Sequence, residues 1–142
     1  MTDKAPQAWH HFPHDADIGI QGFGPTPAAA FEEAARALTA AVTDARVEPR
    51  IAVSVQCRAS NLEGLFVDWL NAVIYEMSAR QMLFGDFHIA LEGMNLRATL
   101  FGEPVDVSRH APACEPKGAT YTALKVAETG RDGWSASCIV DV

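Results

Sequence analysis

The sequence predicts an α+β domain in which two helices pack on a mainly antiparallel β-sheet. Two segments repeat apolar residues with the period of an amphipathic helix, and about six shorter segments have the residue pattern of strands. Several of these strands are separated only by turn residues, which favours hairpins and therefore antiparallel pairing. Residues 9–142 are predicted to form this single domain, and residues 1–8 are predicted to be a flexible N-terminus.

The composition is typical of one acidic globular domain. The chain has 142 residues, 49% of them hydrophobic, which is enough to form one core. The net charge of −7 argues against a duplex-binding or membrane-surface protein, although it does not rule out a local basic patch. Three widely spaced cysteines without a CxxC pair indicate reduced thiols and a cytoplasmic protein. No apolar run has the length of a membrane-spanning helix, so no membrane association is predicted.

Two short strands are predicted at the start of the domain, over residues 9–12 and 18–23. His10 and His14 have the spacing of metal ligands on one face of a helix, but Pro13 lies between them and disfavours a helix there. His14 is therefore predicted to be a loop residue that forms hydrogen bonds with its neighbours.

The first helix is predicted over residues 27–42. Thr26 is predicted to cap it, and Pro27 occupies the first helical position, where its missing N–H group does no harm. Its apolar stripe consists of Phe31, Ala34 or Ala35, Leu38 and Val42. The side chains predicted to face away from the core are Glu32, Glu33 and Arg36. Asp44, just after the helix, is either an ordinary turn residue or a third acidic group near the site described below.

The second helix is predicted over residues 62–79, after an alternating strand at 51–58. The residues Ser60-Asn61-Leu62-Glu63 have the pattern of a capping box. The apolar stripe of this helix consists of Leu62, Leu65, Phe66, Trp69, Leu70, Val73 and Met77. This stripe is predicted to form core and not a ligand-binding surface.

The second half of the chain is predicted to contain mainly strands. They lie at 87–92, 96–101, 121–126 and 134–142, after a short apolar run at 82–84. A turn joins the first two strands into a hairpin. Residues 105–116 contain two prolines and have no clear period, so they are predicted to form a loop long enough to carry function.

Asp17 and Asp141 are carboxylates in apolar, strand-like segments near the two ends of the sequence. In the last strand, Asp141 lies on the face opposite Cys138 and Val140, so it can meet an ion without crossing the core. Two carboxylates about 4 Å apart repel by roughly 4 kcal/mol at an effective dielectric constant near 20, so a shared site needs a cation or a raised pKa. Our hypothesis is that Asp17 and Asp141 meet at one acidic site.

The order and spacing of several segments resemble the archease family. These are His14-Asp15-Ala16-Asp17-Ile18-Gly19, the alanine-rich helix ending at Thr43-Asp44, Trp69-Leu70, Gly102-Glu103-Pro104 with Arg109-His110, the segment with Glu115, Lys117 and Thr120-Tyr121, and Ile139-Val140-Asp141-Val142. The resemblance runs from about His10 to the C-terminus. Short catalytic motifs such as a GxxxxGK[ST] loop are absent from the sequence.

The resemblance implies a small accessory protein of the RtcB-type tRNA-splicing ligase, which joins RNA ends with GTP and a metal ion. It implies that the protein promotes guanylylation and turnover of that ligase without sealing RNA itself. Contact with tRNA is then only indirect, through the ligase. The family has also been viewed as a chaperone for RNA-modifying enzymes.

The resemblance also implies a metal site. Asp17 matches the acidic residue of the family's His-Thr-Ala-Asp motif, and Asp141 matches the one next to the C-terminus; the family's third ligand is the terminal carboxylate, which here belongs to Val142. Carboxylate oxygens suit a hard divalent cation, calcium before magnesium or manganese. Without the resemblance, the residues alone favour a local hydrogen bond for Asp17 and a surface strand end for Asp141.

Lys117 matches the lysine of the family's Glu-x-Lys-Ala-x-Thr-Tyr-His segment, which implies contact with the ligase or with the surroundings of its GTP; the alternative is a solvated surface lysine. Asp44 and Arg109 are further predicted partner contacts. The chain differs from the family pattern at four positions: Asp15 replaces threonine, Pro116 replaces valine, Gly118 replaces alanine and Thr122 replaces histidine. No role of that histidine is transferred.

Two other classes of function compete with this one. In a metal-dependent hydrolase, Asp17 and Asp141 hold the ion and His14 or His110 acts as the base, although no motif places a nucleophile or base. In a general chaperone or interaction module, the protein suppresses aggregation of unrelated clients and has no special effect on the ligase.

Overall fold

The computed structural model describes residues 8–130 and 133–142. The predicted flexible N-terminus lies outside the described residues, apart from Ala8. The elements in chain order are β1 (Trp9–His14), β2 (Asp17–Gly24), α1 (Pro27–Val42), β3 (Ile51–Arg58), α2 (Leu62–Arg80), β4 (Met82–Glu92), β5 (Asn95–Pro104), α3 (Val107–His110), β6 (Gly118–Ala119), β7 (Lys125–Glu128) and β8 (Trp134–Asp141).

The strands form two antiparallel sheets. In the first sheet, β2 lies between β1 and β8, and both β6 and β7 also pair with β8. In the second sheet, β5 lies between β3 and β4. The predicted α+β fold with antiparallel strands is confirmed, but the strands divide into two sheets. The residue pattern could not show this, because alternation defines the two faces of a strand and not its neighbours.

Helix α1 packs on β2 of the first sheet and on β4 of the second. On the β2 side the approach is close: a Cβ atom on Gly22 would lie 2.3 Å from the Ala30 carbonyl oxygen. On the β4 side, Glu32 accepts a hydrogen bond from the Ile89 N–H group at 2.7 Å, and Arg36 forms an ion pair with Asp86 at 2.7 Å. The prediction that the polar side of this helix faces away was therefore wrong, because a second sheet covers it.

Helix α2 supplies much of the core. Asn61, one residue after the serine of the predicted capping box, caps it by accepting a hydrogen bond from the Gly64 N–H group at 2.7 Å. The Trp69 indole donates to the Phe31 carbonyl at 2.9 Å, which ties α2 to α1. The buried residues of α2 are Leu65, Phe66, Val67, Trp69, Leu70, Val73, Ile74 and Met77. The predicted core stripe is thus confirmed except at Leu62, which is half-buried.

The second half of the chain differs from the prediction in several elements. Strand β4 is continuous over Met82–Glu92, with an irregularity between Phe84 and Asp86, whereas a short apolar run at 82–84 and a separate strand at 87–92 were predicted. The predicted loop at 105–116 contains the short helix α3. The strand predicted at 121–126 begins only at Lys125, because residues 121–124 form a turn in which Ala123 has a φ of 52°.

Strand β8 is buried on both faces. Ala136, Cys138 and Val140 belong to the predicted apolar row, but Ser137 and Ile139 on the other face are buried too. The pairing of β8 with β2, β6 and β7 covers its two edges, and helix α1 packs against the strand.

All three cysteines are free thiols, as predicted. Burial raises the pKa of the Cys138 thiol to about 12, so this side chain stays protonated at neutral pH. None of the helices in the described part of the chain is long and apolar enough to span a membrane.

Candidate functional site

Four strands of the first sheet bring polar residues together at one end. His14 pairs with Asp17 across β1 and β2, and Asp141 pairs with Gly118 across β8 and β6. The pairing of Ile18 with Val140 places Asp17 opposite Asp141 at the next position of the ladder. We call these four positions the acidic row. Because residues directly opposite in a sheet share a face, the two carboxylates lie on the same side of the sheet.

The residue after β8 also contacts the acidic row. The N–H group of Val142 donates to the Asp17 side-chain oxygen Oδ1 at 3.4 Å. Asp17 and Val142 are half-buried, whereas Asp141 is exposed. The structure therefore brings the predicted residues Asp17, Asp141 and Val142 to one end of the first sheet, although they are more than a hundred residues apart in sequence.

His14 lies at the end of β1 and not in a loop as predicted. Its Nδ1 atom is buried without a hydrogen-bond partner among the described residues, so the predicted hydrogen bonds to its neighbours are not found at this atom. The Asp15 carboxylate lies 3.9 Å from this nitrogen. Asp15 itself lies in the turn that joins β1 to β2, with a φ of 52°, and its side chain is 93% exposed. Asp tolerates this left-handed conformation better than most residues do.

The acidic row offers oxygen donors for a hard cation. Two opposed carboxylates in adjacent strands repel each other, and a divalent ion between them removes that repulsion. No group of three or more His, Cys, Asp or Glu side chains is arranged to hold a metal within residues 8–130 and 133–142. A site here therefore needs an oxygen donor beyond the side chains of Asp17 and Asp141.

Asp44 lies in a different part of the surface. It is exposed and follows Thr43, which caps the end of α1, and it lines a cleft together with Trp9 and Val47. The arrangement is that of a turn residue, the first of the two alternatives given for Asp44.

Lys117 lies next to the acidic row. Its backbone N–H group donates to the Asp141 carbonyl at 2.8 Å, and its side chain is exposed. Asn71 on α2 accepts a hydrogen bond from the Ala119 N–H group at 2.8 Å and thereby fixes the segment that follows. Asn71 was not predicted as part of the site. A polar residue within the apolar stretch of α2 was the signal that could have indicated it.

Arg109 belongs to a second group of charged residues, which we call the Glu103 network (Glu103, Arg109 and His110). Glu103 is 2% exposed and accepts hydrogen bonds from the Arg109 guanidinium, from the His110 Nε2 atom at 3.1 Å and from the Glu48 N–H group at 2.7 Å. The hydrogen bond from Arg109, followed by that from the Glu48 backbone, lowers the pKa of Glu103 to about 2. Arg109 also donates to the Arg46 carbonyl at 3.1 Å, so its guanidinium serves internal contacts.

Both ring nitrogens of His110 form hydrogen bonds inside this network. It is 1% exposed, its Nδ1 atom accepts a hydrogen bond from the Asp106 N–H group at 2.8 Å, and its Nε2 atom donates to Glu103. A histidine with both ring nitrogens engaged and no solvent access cannot act as the base of a hydrolase. Glu103 itself was not predicted as a site residue, although Gly102-Glu103-Pro104 was noted in the sequence.

Comparisons with known proteins are consistent across nearly the whole chain. Residues 9–142 match the model of the Archease protein family. A protein archease from Pyrococcus furiosus is 32% identical over 139 residues, which cover 94% of this chain and 98% of that relative. A protein archease from Methanopyrus kandleri is 35% identical over 140 residues, which cover 94% of this chain and 99% of that relative.

Solved structures share the fold. The solution structure of Methanobacterium thermoautotrophicum protein 1598 aligns with a TM-score of 0.77 at 22% identity, covering 96% of this chain and 99% of that one. The crystal structure of an archease from Thermotoga maritima, described as a possible chaperone, aligns with a TM-score of 0.61 at 21% identity, covering 100% of this chain and 99% of that one. With a family match from residue 9 to residue 142 and relatives above 30% identity, the chain belongs to the archease family.

Proposed function

We propose that this protein is a non-enzymatic, cytoplasmic accessory factor of an RtcB-type RNA ligase. It promotes GTP-dependent guanylylation of the ligase and its multiple turnover, and it meets tRNA only through the ligase. Membership of the archease family supports this proposal. The observation that carries it is the placement of Lys117 directly beside Asp141, with Asp17 opposite, at one open end of the first sheet.

In this proposal Asp17, Asp141 and Val142 hold a divalent cation, calcium in the first place. The ion supplies positive charge between carboxylates that otherwise repel each other. Asp17 joins the hairpin of β1 and β2 to the last strand through its contact with Val142. The protein residues thus present a rigid, charged tip to the ligase.

Lys117 is proposed to contact the ligase or the surroundings of its bound GTP. Its side chain extends into solvent, while its backbone is fixed to Asp141 and the following residues are fixed by Asn71. A lysine on a fixed backbone places a positive charge at a defined point of an interface, where charge complementarity controls orientation and association rate.

Single-turnover guanylylation of the ligase, with and without this protein and with calcium or a chelator, tests the proposal. We expect acceleration that is lost on chelation and in Asp17→Ala or Asp141→Ala. Asp15→Asn is the matched control, because Asp15 is an exposed carboxylate two residues from Asp17 that lies outside the acidic row. Unchanged rates in both alanine variants would contradict the proposal.

The second candidate is a chaperone for RNA-modifying enzymes, and the description of the Thermotoga maritima archease favours it. It predicts suppression of client aggregation that does not depend on Lys117. Light scattering of a heated client protein, with the wild-type protein and with Lys117→Ala, separates it from the first candidate. Of the two candidate bases of the hydrolase alternative, His14 and His110, the second is buried within the Glu103 network.

A further inference from the structure

The second sheet has one face open to solvent. Its other face is buried through residues such as Val53, Leu96 and Leu100. Cross-strand pairing arranges the exposed side in four rows over β3, β5 and β4. The rows are Ala52, Phe101 and Asp86; Ser54, Thr99 and His88; Gln56, Arg97 and Ala90; and Arg58, Asn95 and Glu92. We call this surface the open face.

Two arginines, Arg58 and Arg97, lie on the open face. Arginines elsewhere, such as Arg36, Arg80 and Arg109, form ion pairs with carboxylates. Within the part of the chain that the structure describes, Arg58 and Arg97 make no ion pair or side-chain hydrogen bond, and both are exposed. In a chain with a net charge of −7, these two guanidinium groups form a local region of positive charge, which is the charge that a polyanion requires.

The acidic side chains of the open face offset this charge only in part. Asp86 is paired with Arg36 at 2.7 Å and contacts His88 at 3.3 Å. Glu92 lies in the row of Arg58, at the opposite edge of the sheet. Arg97 and Arg58 lie on adjacent strands and adjacent rows, which corresponds to roughly 5 Å across the strands and about 7 Å along them. Two long side chains at that spacing can contact neighbouring phosphate groups of one chain.

An aromatic pair completes the surface. Phe101 lies on the central strand β5, and the His88 ring meets it edge-on with ring centroids 5.2 Å apart. The His88 side chain is 67% exposed. Rings on the central strand of an open sheet offer a stacking platform for unpaired bases. Amide and hydroxyl side chains, such as those of Gln56, Asn95 and Thr99, surround it with hydrogen-bonding groups.

We propose that the open face binds single-stranded RNA, with Arg58 and Arg97 on the phosphates and His88 and Phe101 against the bases. This proposal replaces one part of the proposed function, the purely indirect contact with RNA, and leaves the activation of the ligase unchanged. The charge of the two arginines favours a polyanion over a protein surface. Exposed ring atoms favour a single strand over a duplex, because a duplex hides the faces of its bases.

Fluorescence anisotropy with a fluorescein-labelled oligouridylate, and with an RNA duplex of equal length, tests this proposal. We expect the single strand to bind more tightly, with an affinity that falls as salt is raised. The double variant Arg58→Gln/Arg97→Gln is expected to bind about tenfold more weakly, and its salt slope is expected to fall by about 1.4, or roughly 0.7 for each lost phosphate contact. The matched control is Arg80→Gln, since Arg80 lies on α2 in an ion pair with Glu76.

Phe101→Leu tests the stacking platform. We expect a roughly fivefold or greater loss of affinity for the oligouridylate and an almost unchanged salt slope, because stacking involves no counterion release. A thermal melt of the variant shows that the fold is retained, and His88→Ala provides the same test at an exposed position.

Three results overturn the proposal: no binding of the single strand at low salt, equal binding of the duplex, or the same loss of affinity in Arg80→Gln as in the double variant. If the double variant instead weakens binding of the ligase and leaves RNA binding unchanged, the open face is a protein interface. None of these RNA measurements depends on guanylylation, so they can fail while the proposed function stands.

Discussion

The acidic row and the Glu103 network are both built around carboxylates, but their charges are balanced in different ways. In the Glu103 network a buried carboxylate receives hydrogen bonds from Arg109, His110 and the backbone of residue 48. In the acidic row, Asp17 and Asp141 occupy neighbouring strands one position beyond the Ile18–Val140 pair, and the side chain of Lys117 is exposed to solvent. Charge that is satisfied internally stabilises the fold, whereas charge that is left unbalanced at an open edge is available to an ion or a partner.

The largest effect is expected from Glu103→Gln. This change leaves the volume intact but removes the negative charge that the Arg109 and His110 side chains contact, and breaking a buried pair on one side is strongly destabilising. We expect Tm to fall by about 10 °C in a calorimetric scan. Glu128→Gln, at an exposed strand end, is the control and should leave Tm unchanged. If the two variants have the same Tm, the network does not stabilise the fold.

The response to calcium is expected to be the next largest effect. If the acidic row holds an ion, saturating calcium should raise the Tm of the wild-type protein by about 5 °C, because the ion binds only the folded state. Asp17→Asn should abolish this shift and should melt no earlier than the wild type without calcium, since it removes a repulsion. A wild-type Tm that does not respond to calcium, magnesium or manganese would contradict the metal site.

Acid should affect the two regions differently. The pKa of Glu103 is lowered to about 2 in the folded protein, so the unfolded chain binds this proton more tightly. The stabilisation is therefore complete above the ordinary value near 4.5 and is lost as pH falls toward 2. Urea unfolding between those pH values should show a smaller loss of stability in Glu103→Gln than in the wild type. Parallel losses in the two proteins would show that other carboxylates dominate.

The smallest effect on stability is expected from Lys117→Ala. Only the backbone of Lys117 contacts Asp141, so truncating the side chain should leave Tm unchanged while ligase guanylylation slows about tenfold, the effect of losing one well-placed charge. Lys125→Ala is the control, because Lys125 is an exposed lysine on β7, which also pairs with β8. Equal rates for the two variants would remove Lys117 from the interface.

Local residue patterns predicted most of the elements of this fold. The cap at Thr26, the polar residues before residue 62 and the apolar periods predicted the ends of both long helices within a residue, because these signals depend on neighbours in the sequence. The division into two sheets was missed, since it depends on which strands meet. Because the second sheet lies against α1, Glu32 and Arg36 contact β4 instead of facing away from the core as predicted.

Part of the candidate site was predictable from the residues alone, because Asp17 and Asp141 are carboxylates in apolar, strand-like segments. The family resemblance added Val142 and Lys117, and the register of the first sheet explains why these distant positions lie together. For Arg109 the predicted partner contact stays a prediction, and the structure adds internal contacts that the sequence did not indicate. The charge of Arg109 is used within the protein, and this became visible only when the positions of Glu103 and Arg46 were known.

The pairing of Ile18 with Val140 also has a consequence for folding during synthesis. Strands β1 and β2 are synthesised before β8, so β2 must wait for β8 before the first sheet is complete. Contacts this distant in sequence carry a large entropic cost of loop closure and slow folding. Until then, the hairpin of β1 and β2 has an unpaired edge, and a nascent chain at this stage is a natural substrate for general folding factors.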